Sequence, residues 1–135
     1  MAKKKAQPYS FVLEELSESA LGPRVRTKPM FGALAIYVDQ KIVFILRKKE
    51  DPPLHDDGIW VAMQPEHNTS VKRELPALRP IAFFAERAFY GWLNLPEEVD
   101  GFEEAALHAC RLVIAGDPRF GKIPKGRAKK ARKIK

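Results

Sequence analysis

The stretch PMFGALAIYVDQKIVFIL, from Pro29 to Leu46, constrains the fold more than any other part of the chain. It is dominated by Val, Ile, Leu, Phe and Tyr, residues that fit a pleated and largely buried surface. Two features interrupt it. Gly32 marks a bulge or bend, so Val25–Val38 reads as one long strand or two. Asp39–Gln40 reads as a turn, with Lys41–Arg47 as the return strand. Strands joined by so short a connection pair antiparallel, because a parallel crossover needs a dozen or more residues. The centre of the protein is therefore predicted to be an antiparallel sheet.

The flanking sequence supplies the other layer. Tyr9, Val12, Leu13, Leu16 and Ala20 recur at helical spacing, with Glu14, Glu15 and Glu18 opposite, and Leu21–Gly22–Pro23 ends that helix. Phe11 falls on its polar side. Ile59–Gln64 reads as a third strand, after a loop rich in charge and proline. A short helix is expected over Thr69–Leu75, with Asn68 and Ser70 as cap candidates and Pro76 as its stop. Ile81–Phe84 and Phe89–Leu93 read as a hairpin around Glu86–Arg87. In the last helix Asp100 precedes Glu103 at capping spacing, Phe102, Ala105, Ala106, Ala109, Leu112 and Val113 share a face, and Gly116–Asp117–Pro118 ends it. The predicted order is α-β-β-β-α-β-β-α, an α+β two-layer sandwich with a five-stranded antiparallel sheet and its helices on one side. A single domain is expected over residues 9–117, between a basic arm (1–8) and a basic tail (118–135) expected to be disordered.

The charge is unevenly placed. Of the 24 Lys and Arg residues, three lie at Lys3–Lys5 and nine follow Asp117: Arg119, Lys122, Lys125, Arg127, Lys129, Lys130, Arg132, Lys133 and Lys135. The twelve that remain face all 17 acids, so residues 6–117 carry a net charge of −5. This division reads as an acidic globular domain with a basic interaction tail, able to neutralise phosphates without sequence preference. Phe120 is that tail's only aromatic, so base stacking adds little. No run of 18 apolar residues exists, and Glu14 and Glu15 break what would have to be the apolar part of a signal peptide. The one cysteine, Cys110, excludes an internal disulfide and suits a reducing cytoplasm.

Candidate chemistry is sparse. GDPRFGKI (Gly116–Ile123) approaches a phosphate-binding loop, but Ile123 stands where the metal-holding hydroxyl belongs and the segment follows a helix instead of a strand. His55, Asp56 and Asp57, in the Arg47–Asp57 loop, could offer ligands to a small molecule or hard cation, without a visible third or fourth rigid ligand for a metal. His108 reads as a surface residue and Cys110 as a small buried hydrophobe. Glu97–Glu98 after Pro96 reads as the acidic first turn of a helix. The chain is thus expected to be neither an enzyme nor dependent on a cofactor.

Two segments carry a resemblance. MFGALAIYVDQK (Met30–Lys41) and GWLNLPEEVDGFEEAALHACRLV (Gly91–Val113) resemble motifs of the TfoX N-terminal-domain family, the Sxy-like competence regulators. Met30, Phe31, Gly32, Ile36, Tyr37, Asp39 and Lys41 match the first motif, and Leu95, Pro96, Glu97, Glu98 and Val99 the second. Ala33 and Gln40 replace two of that family's glycines, the 47–57 loop is longer, and the basic tail stands where those regulators carry a second domain. The resemblance implies a stand-alone domain with a secretion-chaperone-like sheet, in which these positions are structural. It also implies a partner protein concerned with transcription. A homodimer is compatible with it.

Overall fold

The structure, a computed structural model, describes residues 7–30, 32–49, 57–81 and 90–123. It is α+β. Three helices, α1 (Ser10–Ser17), α2 (Asn68–Glu74) and α3 (Phe102–Ile114), accompany one open antiparallel sheet. The strands are β1 (Val25–Met30), β2 (Ala33–Val38), β3 (Lys41–Arg47), β4 (Gly58–Val61), β5 (Arg79–Pro80) and β6 (Leu93–Pro96), in the spatial order β1-β2-β3-β4-β6-β5.

Six strands replace the expected five, because Gly32 sits in a hairpin turn and not in a bend. Met30 pairs with Ala33, and Gly32 takes a φ of 77°, a conformation glycine adopts without penalty. At the next turn the positive φ falls on Asp39 (57°), not on Gln40. Aspartate tolerates this region better than most side chains, and Arg24 grips its carboxylate through Nε and Nη2 at 2.9 and 2.6 Å.

The strand β3 explains why KIVFIL has no polar alternation. A bulge leaves Val43 without a register partner in β2, since Ile36 pairs with Phe44 and Tyr37 with Ile42. The extra residue lets Val43 and Phe44 face the same core, while Ile42 and Ile45 face the other side. All three helices bury their apolar faces in the first core, through Val12 and Leu16, Val71, and Ala106, Ala109, Cys110 and Val113. The far face carries Ala35, Tyr37, Ile42, Ile45, Trp60, Ala62 and Trp92, also buried, with no contribution from a described helix. Both faces of the sheet are thus apolar, which is why its strands read as continuous runs.

Several boundaries differ from the sequence reading. Helix α1 ends at Ser17, before Leu21–Gly22–Pro23, because Ser19 Oγ donates to Leu16 O and accepts from Leu21 N, a local alternative to helical bonding. Ala20 is consequently exposed. Phe11 is half-buried against the core: its ring meets Phe102 edge-to-face at 6.2 Å, and Tyr9 meets the same ring at 5.4 Å. Helix α3 starts from Gly101 (φ 73°) with no side-chain cap, so the Asp100–Glu103 box does not form. Backbone turns do its work, with Val99 N donating to Pro96 O and Phe102 N to Val99 O. Neither Asn68 nor Ser70 caps α2; Asn68 Nδ2 instead donates to Gly91 O. Among the described residues β6 lies at Leu93–Pro96, later than the strand expected at Phe89–Leu93, and β5 at Arg79–Pro80, earlier than the strand expected at Ile81–Phe84, of which residues 82–84, like Phe89, lie outside the described residues. The expected Glu86–Arg87 turn lies outside the described residues.

Candidate functional site

The segment after α3 is the largest departure from expectation. The charge pattern places residues 118–123 in a tail, yet Phe120 is 2% exposed and belongs to the main core. The chain then enters a gap where β3 and β4 part. Ala62 N still donates to Val43 O, but Ala62 O accepts from Gly121 N at 2.8 Å, and Ile42 and Lys122 exchange two backbone bonds. The folded unit therefore extends through Lys122. The two tail cations inside it are already committed. Arg119 bonds Asp117, Glu74 Oε1 and Ser70 Oγ, and Lys122 Nζ donates to Tyr90 O at 2.6 Å. Asp117 and Glu74 are held below the usual carboxylate range, chiefly by their hydrogen bonds to Arg119. His108 Nε2 lies 3.4 Å from Glu74, on the outside of the same network. Lys125, Arg127, Lys129, Lys130, Arg132, Lys133 and Lys135 lie outside the described residues.

A cleft of about 440 Å³ opens beside this segment, between the β2–β3 turn and the end of α3. Leu21, Val38, Val43, Val113 and Phe120 form its apolar floor, and the Arg24–Asp39 ion pair with Lys41 and Asp117 stands at its rim.

The base of the 47–57 loop is closed by Asp57, which accepts from Arg47 Nη1 at 3.0 Å and Lys49 N at 2.9 Å. Arg47 is buried and lies 5.8 Å from the Trp60 ring centre, a cation–π arrangement on the far face of the sheet. Across the sheet Trp60 pairs with Asn94, which is 1% exposed and whose Oδ1 has no hydrogen-bond partner among the described residues. His55 and Asp56 lie outside the described residues, and among the described residues no group of three His, Cys, Asp or Glu is placed to hold a metal ion.

The residues of the second motif hold the fold together. Leu95 is core and Pro96 pairs with Gly58. Glu97 is not in a helix. Its carboxylate accepts from Tyr9 Oη and Lys48 Nζ, tying the start of α1 to the end of β3, and those hydrogen bonds, Lys48 first, depress its pKa. Glu98 bonds Arg79. In the first motif Met30 ends β1, Tyr37 is buried on the far face and Asp39 makes the turn described above, while Phe31 lies outside the described residues. Cys110 is buried among apolar groups, and that burial pushes its thiol up to about 12, so it stays protonated at neutral pH.

The feature that sequence reasoning missed is the sheet's edge. Among the described residues strand β1 pairs only with β2, and four of its six residues, Arg26–Pro29, are exposed. Asp39 N donates to Arg24 O, so Arg24, Arg26, Lys28 and Met30 occupy the hydrogen-bonded positions of the ladder. The N–H and C=O groups of Val25 and Thr27, and the C=O of Pro29, therefore point away from the sheet. Pro29 is tolerated because its position needs no N–H toward β2. At the opposite edge β5 has two described residues, Arg79 and Pro80. No described helix is long and apolar enough to cross a membrane. Comparison of the chain with models of known families, with curated proteins and with solved structures finds no match.

Proposed function

We propose that this chain is a non-catalytic interaction module of the TfoX N-terminal type, which engages another protein at its uncovered sheet edge. The observation that carries the reading is the β1 edge: a six-residue strand whose Val25 and Thr27 N–H and C=O groups and Pro29 C=O point outward, with no covering element among those described. Globular proteins usually shorten, charge or cover such an edge, because it is a template for another chain. Here β1 carries the charges of Arg26 and Lys28 and a proline, Pro29, but it keeps six residues and is not covered by any described element. The TfoX resemblance supplies the second support, and implies a partner concerned with transcription. The buried free thiol of Cys110 fits a reducing, cytoplasmic setting.

A photo-cross-linking residue at position 27, compared in cells with one at the exposed Glu66, tests the reading. A discrete protein adduct specific to position 27 is expected. Adducts shared by both positions, adducts to nucleic acid alone, or none at all would overturn it.

A further inference from the structure

The edge also states the chemistry of its occupant. We infer that β1 accepts an extended acidic segment of a partner protein, with acids at alternate positions, as an added strand; this rests on the interaction-module reading above. Arg26 and Lys28 are register partners of Tyr37 and Ala35, so both rise on the far face of the sheet. Both are exposed, and neither lies within salt-bridge distance of a described acid; the charge of Arg26 acts on Asp39 only as a minor addition to the Arg24 bond. A strand laid against β1 would bond to Val25, Thr27 and the Pro29 carbonyl. Its alternate side chains would then stand beside Arg26 and Lys28, where opposite charges stabilise a cross-strand pair. Acids two residues apart match this spacing.

Other occupants fit less well. A second copy pairing antiparallel about Thr27 would set Arg26 opposite the partner's Lys28, twice, and like charges facing each other destabilise a ladder. A register centred on Val25 sets Arg26 opposite the partner's Arg24. Nucleic acid would meet the two cations, but its phosphates would also face three outward carbonyl oxygens. A peptide supplies donors as well as acceptors and satisfies both.

The test uses the full chain and two fluorescein-labelled ten-residue probes, one alternating Glu and Val, the other alternating Lys and Val, read by fluorescence anisotropy at low salt. The Glu–Val probe should bind and the Lys–Val probe should not. Thr27→Pro removes one outward N–H without touching the β1–β2 ladder. It should leave the melting temperature nearly unchanged and weaken Glu–Val binding by about three- to tenfold. Arg26→Glu with Lys28→Glu should invert the preference between the probes. Glu–Val binding that survives both changes would place it elsewhere, on the basic tail, and overturn the inference. So would duplex DNA binding lost with the Arg26/Lys28 reversal, or a dimer in sedimentation that the reversal strengthens. Where the position-27 adduct forms but the Glu–Val probe does not bind, the module stands and only its acidic partner falls. Where neither occurs, both fall.

Discussion

Replacing Phe120 by alanine tests whether the domain ends at Asp117 or continues past it. Phe120 is 2% exposed and packs with Leu21, Val38, Val43 and Val113 at the floor of the cleft. Truncating a buried Phe to Ala costs about 3–5 kcal/mol, from lost transfer free energy and the cavity left behind. The low end applies here, because the site adjoins an open cleft and water can fill part of the space. A cost of about 3 kcal/mol in a folded part of this size lowers Tm by roughly 12 °C. Urea denaturation should show a lower midpoint at an unchanged slope, the sign of lost stability in an otherwise similar native state. A chain ending after Ile123 should match the full chain, and one ending at Asp117 should be at least as unstable as Phe120→Ala, since it also loses Arg119 and the Ile42–Lys122 bridge. A loss below about 1 kcal/mol, typical of surface positions, would show that residues 118–123 are only a tail.

Three further outcomes follow from the same geometry. Gly58→Ala should cost about 3 kcal/mol or more, because φ is +150° and the new methyl would sit 2.1 Å from Leu95 O; Gly116→Ala, with nothing within 4 Å, should cost about 1 kcal/mol, and equal losses by denaturant titration would refute the contrast. Because Glu97 has its pKa depressed, its contribution is present above the ordinary carboxyl value of 4.5 and is lost as pH falls through the lower folded value. The Tm gap between the native chain and Glu97→Gln should therefore close in acid, and a gap constant from pH 7 to pH 2 would contradict the assignment. If the seven cations beyond Ile123 contact about five phosphates of duplex DNA, log Kobs should fall against log salt with a slope near −4 to −5. The slope should survive Arg119→Gln and vanish in the chain ending after Ile123; loss on Arg119→Gln alone would put the contact inside the fold.

The parts of the fold legible in the sequence are those set by local pattern. The α+β class, the β2–β3 hairpin and the α3 core face follow from apolar runs and from period-3.6 spacing, and Met30–Arg47 is where these signals are densest. The misses have physical causes of another kind. Ser19 ends α1 through its own hydroxyl, and Gly101 opens α3 by backbone conformation, so the capping pattern of Asp100 and Glu103 was present without being used. Arg119, Lys122 and Phe120 look like tail because charge density hides one aromatic whose neighbours Leu21, Val38 and Val43 lie far earlier in the chain. Long-range pairing leaves no local trace, and Gly121, which approaches Lys41 and Val43 closely, was the only hint.

The candidate site was less legible still, because it is built from backbone. Nothing in VRTKPM marks an edge except Pro29, and a proline reads equally as a loop. Only the ladder parity set by Arg24 and Asp39 shows which amides face outward, and so turns Arg26 and Lys28 from solvated charges into the rim of a docking strand. The same parity makes the proposal strict. A one-residue slip of β1 against β2 would carry Arg26 and Lys28 to the helix side of the sheet and direct the Val25 and Thr27 amides inward. Amide exchange decides between these registers in the free protein: Val25 and Thr27 should exchange fast while Arg26 and Lys28 are protected, and the reverse pattern would remove the basis for strand addition at this edge.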